Sequence, residues 1–259
     1  MTIPVKLPLI AVATALFLGA AAGAGCGREI SAEDVEKSIF HYRLAGNFYK
    51  EGNIAMTRKE LHDSLKLDPS NAEARFLQGI MNMGLRDFEG AEREFRMALQ
   101  FKPDLREARN NLGLVLIELH NPTEAITTLE PLLQDPLYPT PYLAHANIGR
   151  AFMEMGDLES ARKAYDMAVF LNPKFCLGYL NLGHVFLKKH MVRDAQENYE
   201  KVTRFCPDFG ESYYHLGVIH QKAGRTTEAM EAFEKCASLL KDSPTGKRCM
   251  ARAAGGQAE

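Results

Sequence analysis

The sequence predicts an all-α solenoid of six helix-turn-helix repeats, and three observations carry that reading. Small residues recur at a fixed interval: Ala45, Gly79, Gly113, Gly149, Gly183 and Gly217 stand 34, 34, 36, 34 and 34 residues apart. Self-similarity at such a period marks a repeat architecture. Twelve residues after each comes Thr57, Ala91, Ala125, Ala161, Ala195 or Ala229, and four further on Leu61, Phe95, Leu129, Tyr165, Tyr199 or Phe233. Prolines close most units, at Pro69, Pro103, Pro173 and Pro207.

A hairpin of two helices explains these choices. Small side chains at the eighth and twentieth positions let two helix backbones approach where they cross. The large residue four positions later shares the face of the small residue before it and is expected to fill the space between neighbouring hairpins. Proline cannot continue a helix, so the chain turns into the next unit.

Taken in order, residues 1–25 differ from everything that follows. One cation, Lys6, precedes an uncharged stretch from Leu7 to Gly25 that ends in Ala and Gly just before Cys26. That is the build of a secretory signal peptide, with a strongly apolar part too short to cross about 30 Å of hydrocarbon. Small residues followed by cysteine resemble the bacterial lipobox, although Gly23 stands where that motif usually has leucine. The resemblance implies lipidation of Cys26, and Gly27 in place of aspartate implies the outer membrane as the address. Two or more acyl chains would hold such an anchor firmly. Ordinary cleavage to a free periplasmic protein is the alternative.

Residues 26–37 are read as a lipidated linker, with Glu33, Asp34 and Glu36 placed to favour a helix start. Units follow at about 38–71, 72–105, 106–141, 142–175, 176–209 and 210–241. Between the two helices of a unit, segments such as Met83-Gly84-Leu85-Arg86-Asp87, Met155-Gly156-Asp157 and Lys222-Ala223-Gly224-Arg225 supply the turn, glycine allowing a left-handed C-cap. The third unit departs from the pattern. Leu132 replaces a small residue, and the loop Gln134-Asp135-Pro136-Leu137-Tyr138-Pro139-Thr140-Pro141 carries three prolines, which suggests a bend. Residues 242–259, broken by Pro244 and Gly246, read as a short cap and a disordered tail.

The span from Ile39 to Leu240 resembles six tetratricopeptide (TPR) units. That resemblance implies a right-handed superhelix in which the first helix of every unit lines an inner groove.

Composition excludes a nucleic-acid binder. The net charge is -2, with Lys and Arg dispersed among Asp and Glu, so no basic field attracts phosphates. Loss of residues 1–25 would take away Lys6 alone and leave a mildly acidic mature chain. The eight histidines are scattered through different units without HExxH or Cys-His spacing, and neither GxSxG nor a phosphate loop occurs. No enzyme, cofactor, metal or small-molecule substrate is expected.

Besides Cys26 there are four cysteines, Cys176, Cys206, Cys236 and Cys249. An exported chain can oxidise them, in three possible connectivities. Repeat geometry favours Cys176 with Cys206, at the two ends of the fifth hairpin, and Cys236 with Cys249. Four buried free thiols are the alternative.

The groove expected from the TPR resemblance is the candidate binding site, at positions 2, 5, 6, 9, 12 and 13 of each unit. Asn111, Asn147 and Asn181 all fall at position six and could hold the backbone of an extended peptide. Around them stand Phe76, Ile80, Met83, Leu114, Ile117, Arg150, Leu177, Leu180, His184, Tyr214 and Val218. An exposed apolar patch of that kind marks a protein contact. Cations are too dispersed for a carboxylate clamp, so an apolar segment is the expected occupant.

An outer-membrane lipoprotein of six TPR units is similar to the secretin pilotins of type IV pilus systems, the PilF, PilW and Tgl type. The paired C-terminal cysteines and the loop before unit four are most like the last. The resemblance implies binding of secretin subunits, assembly or localisation of the secretin ring, pilus-dependent surface motility and a periplasm-facing position. A TPR scaffold lipoprotein for cell-wall enzymes or for outer-membrane barrel assembly is the alternative.

Overall fold

The computed structural model describes residues 29–255; the expected signal peptide and Cys26 lie outside the described residues. Every element among the described residues is helical, and the helices follow one another as hairpins. The first three pairs are α1 (Ala32–Lys50) with α2 (Ile54–Leu67), α3 (Ala72–Gly84) with α4 (Phe88–Phe101), and α5 (Arg106–Glu118) with α6 (Pro122–Leu133). Next come α7 (Pro141–Met155) with α8 (Leu158–Leu171), α9 (Cys176–Lys188) with α10 (Val192–Phe205), and α11 (Gly210–Lys222) with α12 (Thr226–Leu239). A last helix, α13 (Pro244–Ala253), packs on α12. No helix of the described residues is long and apolar enough to cross a membrane.

One contact repeats through the stack. A Cβ added to Gly79 would stand 2.5 Å from the Phe95 ring, and one on Gly113 would stand 2.4 Å from Leu129. Gly149 meets Tyr165, Gly183 meets Tyr199 and Gly217 meets Phe233 in the same way, at 2.8, 2.5 and 2.6 Å. The large residue thus closes its own hairpin over the glycine, where the sequence reading placed it between hairpins. These large side chains are almost wholly buried, Phe95 and Tyr199 fully so. Neighbouring hairpins then join through clusters such as Ala98, Ala108, Leu112 and Leu116, and Val202, Leu216 and Ile219.

Turns follow the same register. Positive φ occurs at Gly52, Arg86, His120, Gly156, His190 and Gly224, one per hairpin. In the second unit Arg86, rather than Gly84, takes the left-handed position, which corrects the sequence reading. Several helix starts use short polar caps: Asn53, Asn71, Asp87 and Asp157 each accept a backbone N–H from three residues on, whereas Asn121 and Thr140 stand at N-cap positions without such a bond.

Both ends extend further than the boundaries drawn from the sequence. Ser31 and Asp34 form a reciprocal capping box, so α1 begins at Ala32 as the acidic residues near Ser31–Lys37 suggested, and the linker boundary drawn at residue 37 moves back to Ser31. At the other end Pro244 occupies the first helical turn, where its missing N–H costs nothing, and Ser243 caps Gly246. Gly246 is a close-approach residue: a Cβ there would lie 1.9 Å from the Leu240 carbonyl oxygen. The segment therefore starts a capping helix that covers Phe233 and Cys236.

The proline-rich loop before α7 is packed down. Tyr138 is 5% exposed and sits with Leu132, Ala144 and Ile148, so Leu132 fills a space that a small residue would leave empty. Arg106 donates to Asp135 at 2.6 Å, and that hydrogen bond holds the Asp135 carboxyl below its usual range.

Candidate functional site

First helices of successive hairpins are lateral neighbours, α1 beside α3 and α5 beside α7. Their facing residues touch across the repeat boundary. Arg150 on α7 donates to Glu118 on α5, Asn147 Nδ2 donates to Asn110 Oδ1 at 3.1 Å, and His184 on α9 meets His215 on α11. The surface that these helices share is the candidate site.

Most groove residues lie partly exposed along it. Phe76, Ile80, Met83, Leu114, Asn147, Asn181, His184, Tyr214 and Val218 are half-buried, while Leu177 is exposed. Phe76 leans on Phe95, its ring centroid 5.8 Å away. Tyr214 lies between Phe233 and His215, with the Arg248 guanidinium of α13 over its face at 5.0 Å. Two expected groove residues are core: Ile117 is 3% and Leu180 2% exposed. Positions five and twelve turn toward the next hairpin in those units, so the apolar side chain is covered.

The asparagine positions do not form a continuous ladder of free amides. Asn111 donates to the Glu107 carbonyl one turn back at 2.9 Å, and Asn147 is engaged by Asn110. One N–H of each amide is thus already used within the chain.

Two clefts open beside the groove. One, of about 550 Å³, is lined by charged residues at the ends of the first helices, among them Arg86, Glu118, Arg150, Glu154 and Lys188. Two ion pairs lie within it, Arg150 with Glu118 and His120 with Glu154. The other, of about 520 Å³, lies where the turn into α10 meets α11. Leu187, Val192, Val218 and Ile219 form its apolar wall, with Arg193, Lys222 and Arg225 at its rim. A cleft of that size, mostly apolar with a few polar groups, suits side chains of a bound segment. Sequence reasoning found Val218 here and missed Val192, the first residue of α10, and Arg225, at the N-cap of α12.

Beside this cleft His184 Nε2 and His215 Nε2 lie 3.1 Å apart, with Glu211 Oε1 4.0 and 3.8 Å from them. Tyr199 underlies the pair, its ring stacked on His215 at 4.8 Å and edge-on to His184 at 5.9 Å. Burial, and then the neighbouring His215 charge, push His184 down to about 4. His215 in turn holds the Glu211 carboxyl below its usual range. The histidines are therefore not all scattered. Their spacing of 31 residues escaped a search for short motifs, yet Glu211, His215 and His184 occupy positions two, six and nine of adjoining units, all groove positions.

The four C-terminal cysteines form two bridges, Cys176 to Cys206 across the fifth hairpin and Cys236 to Cys249 between α12 and α13. The second fastens the capping helix against the hairpin that carries Tyr214 and Val218.

A solenoid of helical hairpins whose small and large residues interlock sixteen residues apart is a tetratricopeptide-repeat protein, and this chain is one. Repeat-family models match residues 42–106, 149–189 and 210–240. Among individual proteins, the chain is similar to the type IV pilus assembly protein PilF of Pseudomonas aeruginosa, 28% identical over 134 residues, 51% of this chain and 52% of PilF. It is also similar to the protein O-mannosyl-transferase Tmtc3 of Drosophila melanogaster, 29% identical over 119 residues. Those matches span about half of PilF and 13% of Tmtc3. In structure, PilW, a type IV pilus biogenesis factor, superposes with a TM-score of 0.74 at 24% identity, covering 82% of this chain and 98% of PilW. Pseudomonas aeruginosa PilF superposes at 0.70 and 20% identity, over 85% of this chain and 99% of PilF. The structural likenesses establish a shared fold.

Proposed function

We propose that this chain is an outer-membrane lipoprotein pilotin, anchored through lipid on Cys26 and facing the periplasm. It binds secretin subunits of a type IV pilus and promotes their assembly into the outer-membrane ring, on which pilus-dependent motility rests. The observation that carries this reading is the superposition on PilW and PilF over 98% and 99% of their chains. The small-residue segment running into Cys26 supports the anchor.

The mechanism is one of binding alone. The groove and its apolar cleft shield an apolar segment of the secretin monomer, with Arg193, Lys222 and Arg225 at the rim suited to acidic side chains beside it. Burial drives capture at roughly 25 cal/mol per Å² of apolar surface, and release follows when ring contacts bury more. The lipid confines this exchange to the membrane where the ring forms. Neither nucleotide nor redox chemistry enters.

The test is deletion of the gene, followed by probing outer membranes for the heat- and detergent-resistant secretin multimer, with a Cys26→Ala strain alongside. Loss of multimer with monomer retained supports the reading, and the Cys26→Ala strain then reports whether the anchor is needed. An unchanged multimer sinks it.

A further inference from the structure

The geometry points to a divalent-cation site in the groove, in which His184 Nε2, His215 Nε2 and a Glu211 carboxylate oxygen ligate Zn²⁺. Three observations converge on it. The two imidazole nitrogens stand 3.1 Å apart, close to the roughly 3.3 Å edge of a tetrahedron with metal–nitrogen bonds of about 2.0–2.1 Å. The carboxylate oxygen completes the triangle at 3.8 and 4.0 Å. Glu211 is the most exposed of the three, its side chain 47% accessible against 29% and 20% for His184 and His215, so it is free to close the remaining distance. All three ligand atoms lie within 4.8 Å of one another.

The surroundings favour a cation in place of protons. Protonating both rings would set two like charges side by side over a buried tyrosine, whereas two neutral imidazoles and one carboxylate can present three lone pairs to a single ion. Tyr199 fixes the His215 plane by stacking, and its buried hydroxyl has no hydrogen-bond partner among the described residues. Imidazole and carboxylate together suit zinc, and three protein ligands leave a fourth position for water or for a donor of a bound segment. A second cluster, His41, Glu60 and Asp63, is weaker: the Lys59 ammonium already lies 3.0 Å from Glu60 and 3.1 Å from Asp63 and supplies the positive charge there. The site stands on groove geometry alone and does not depend on which protein the groove binds.

The experiment titrates Zn²⁺ into the oxidised, chelator-stripped chain against a chromogenic chelator, for the wild type, His184→Gln, His215→Gln and His41→Gln. One saturable equivalent is expected. Each of the first two substitutions should weaken it at least about tenfold, while His41→Gln leaves it unchanged. Imidazole NMR of the unsubstituted chain gives an independent reading, since only two of the eight histidines should shift on adding Zn²⁺. Absence of saturable binding, binding untouched by His184→Gln and His215→Gln, or shifts in other histidines would overturn the site.

Discussion

The Tyr199 ring lies against Gly183, so closely that a Cβ on the glycine would stand 2.5 Å from it, and the open end of the same hairpin carries the disulfide between Cys176 and Cys206. Tyr199 is fully buried and has no room to withdraw. Gly183→Ala should therefore destabilise by about 1–3 kcal/mol, the usual cost of overpacking. Urea unfolding measures it, and Gly84→Ala, with nothing within 4 Å of the added Cβ, is the control expected to be neutral or slightly stabilising.

His190 adopts φ of +59° in the turn between α9 and α10, where the first, fourth and sixth hairpins use glycine. Left-handed backbone strains a residue with a Cβ. His190→Gly should stabilise by up to about 1 kcal/mol, seen as a higher urea midpoint, because relief of strain outweighs the added freedom of the unfolded chain. An unchanged or lower midpoint would show that the turn is unstrained.

Glu159 joins two hairpins, accepting from Arg162 within α8 and from Lys189 at the end of α9. The hydrogen bond from Lys189, then that from Arg162, pushes its carboxyl down to about 2 from an ordinary 4.5. Since the folded value is depressed, the stabilisation is present above pH 4.5 and is lost as pH falls toward 2. The stability difference between wild type and Glu159→Gln should thus shrink across that window. A difference independent of pH would mean that the pair contributes nothing.

The bridges close sequence separations of 30 and 13 residues. In the chain-entropy model each contributes about 3 to 4 kcal/mol, the longer loop more. Their local effects should differ. Replacing Cys236 and Cys249 by serine should raise amide exchange through α13 selectively, whereas replacing Cys176 and Cys206 should raise it through α9 and α10. Uniform exchange changes in both variants would contradict this division.

The hairpin cores were legible because one period orders glycine, alanine and a large residue, but the period did not say which surface the large residue meets: Phe95 and Phe233 were expected between hairpins and instead close over Gly79 and Gly217 of their own. Arg86, His120 and His190 were hidden, since no residue type announces a left-handed turn when glycine is absent. Pro244 and Gly246 read as a break because the same residues serve a helix start and a close approach. At the site, position within the repeat marked Val218 and His184 but misassigned Ile117 and Leu180. Whether positions five and twelve face the groove or the next hairpin depends on packing between units, which a single unit's pattern does not encode. The approach of His184, Glu211 and His215 likewise crosses a unit boundary.

The most direct measurement is capture of detergent-solubilised secretin monomer by the purified chain, comparing wild type with Val218→Asp in the apolar cleft and with Phe170→Asp, a side chain 74% exposed on the second helix of its hairpin. Groove binding predicts capture by the wild type, at least about a tenfold loss in Val218→Asp, and no change in Phe170→Asp. No capture by the folded wild type, or loss confined to Phe170→Asp, would contradict it.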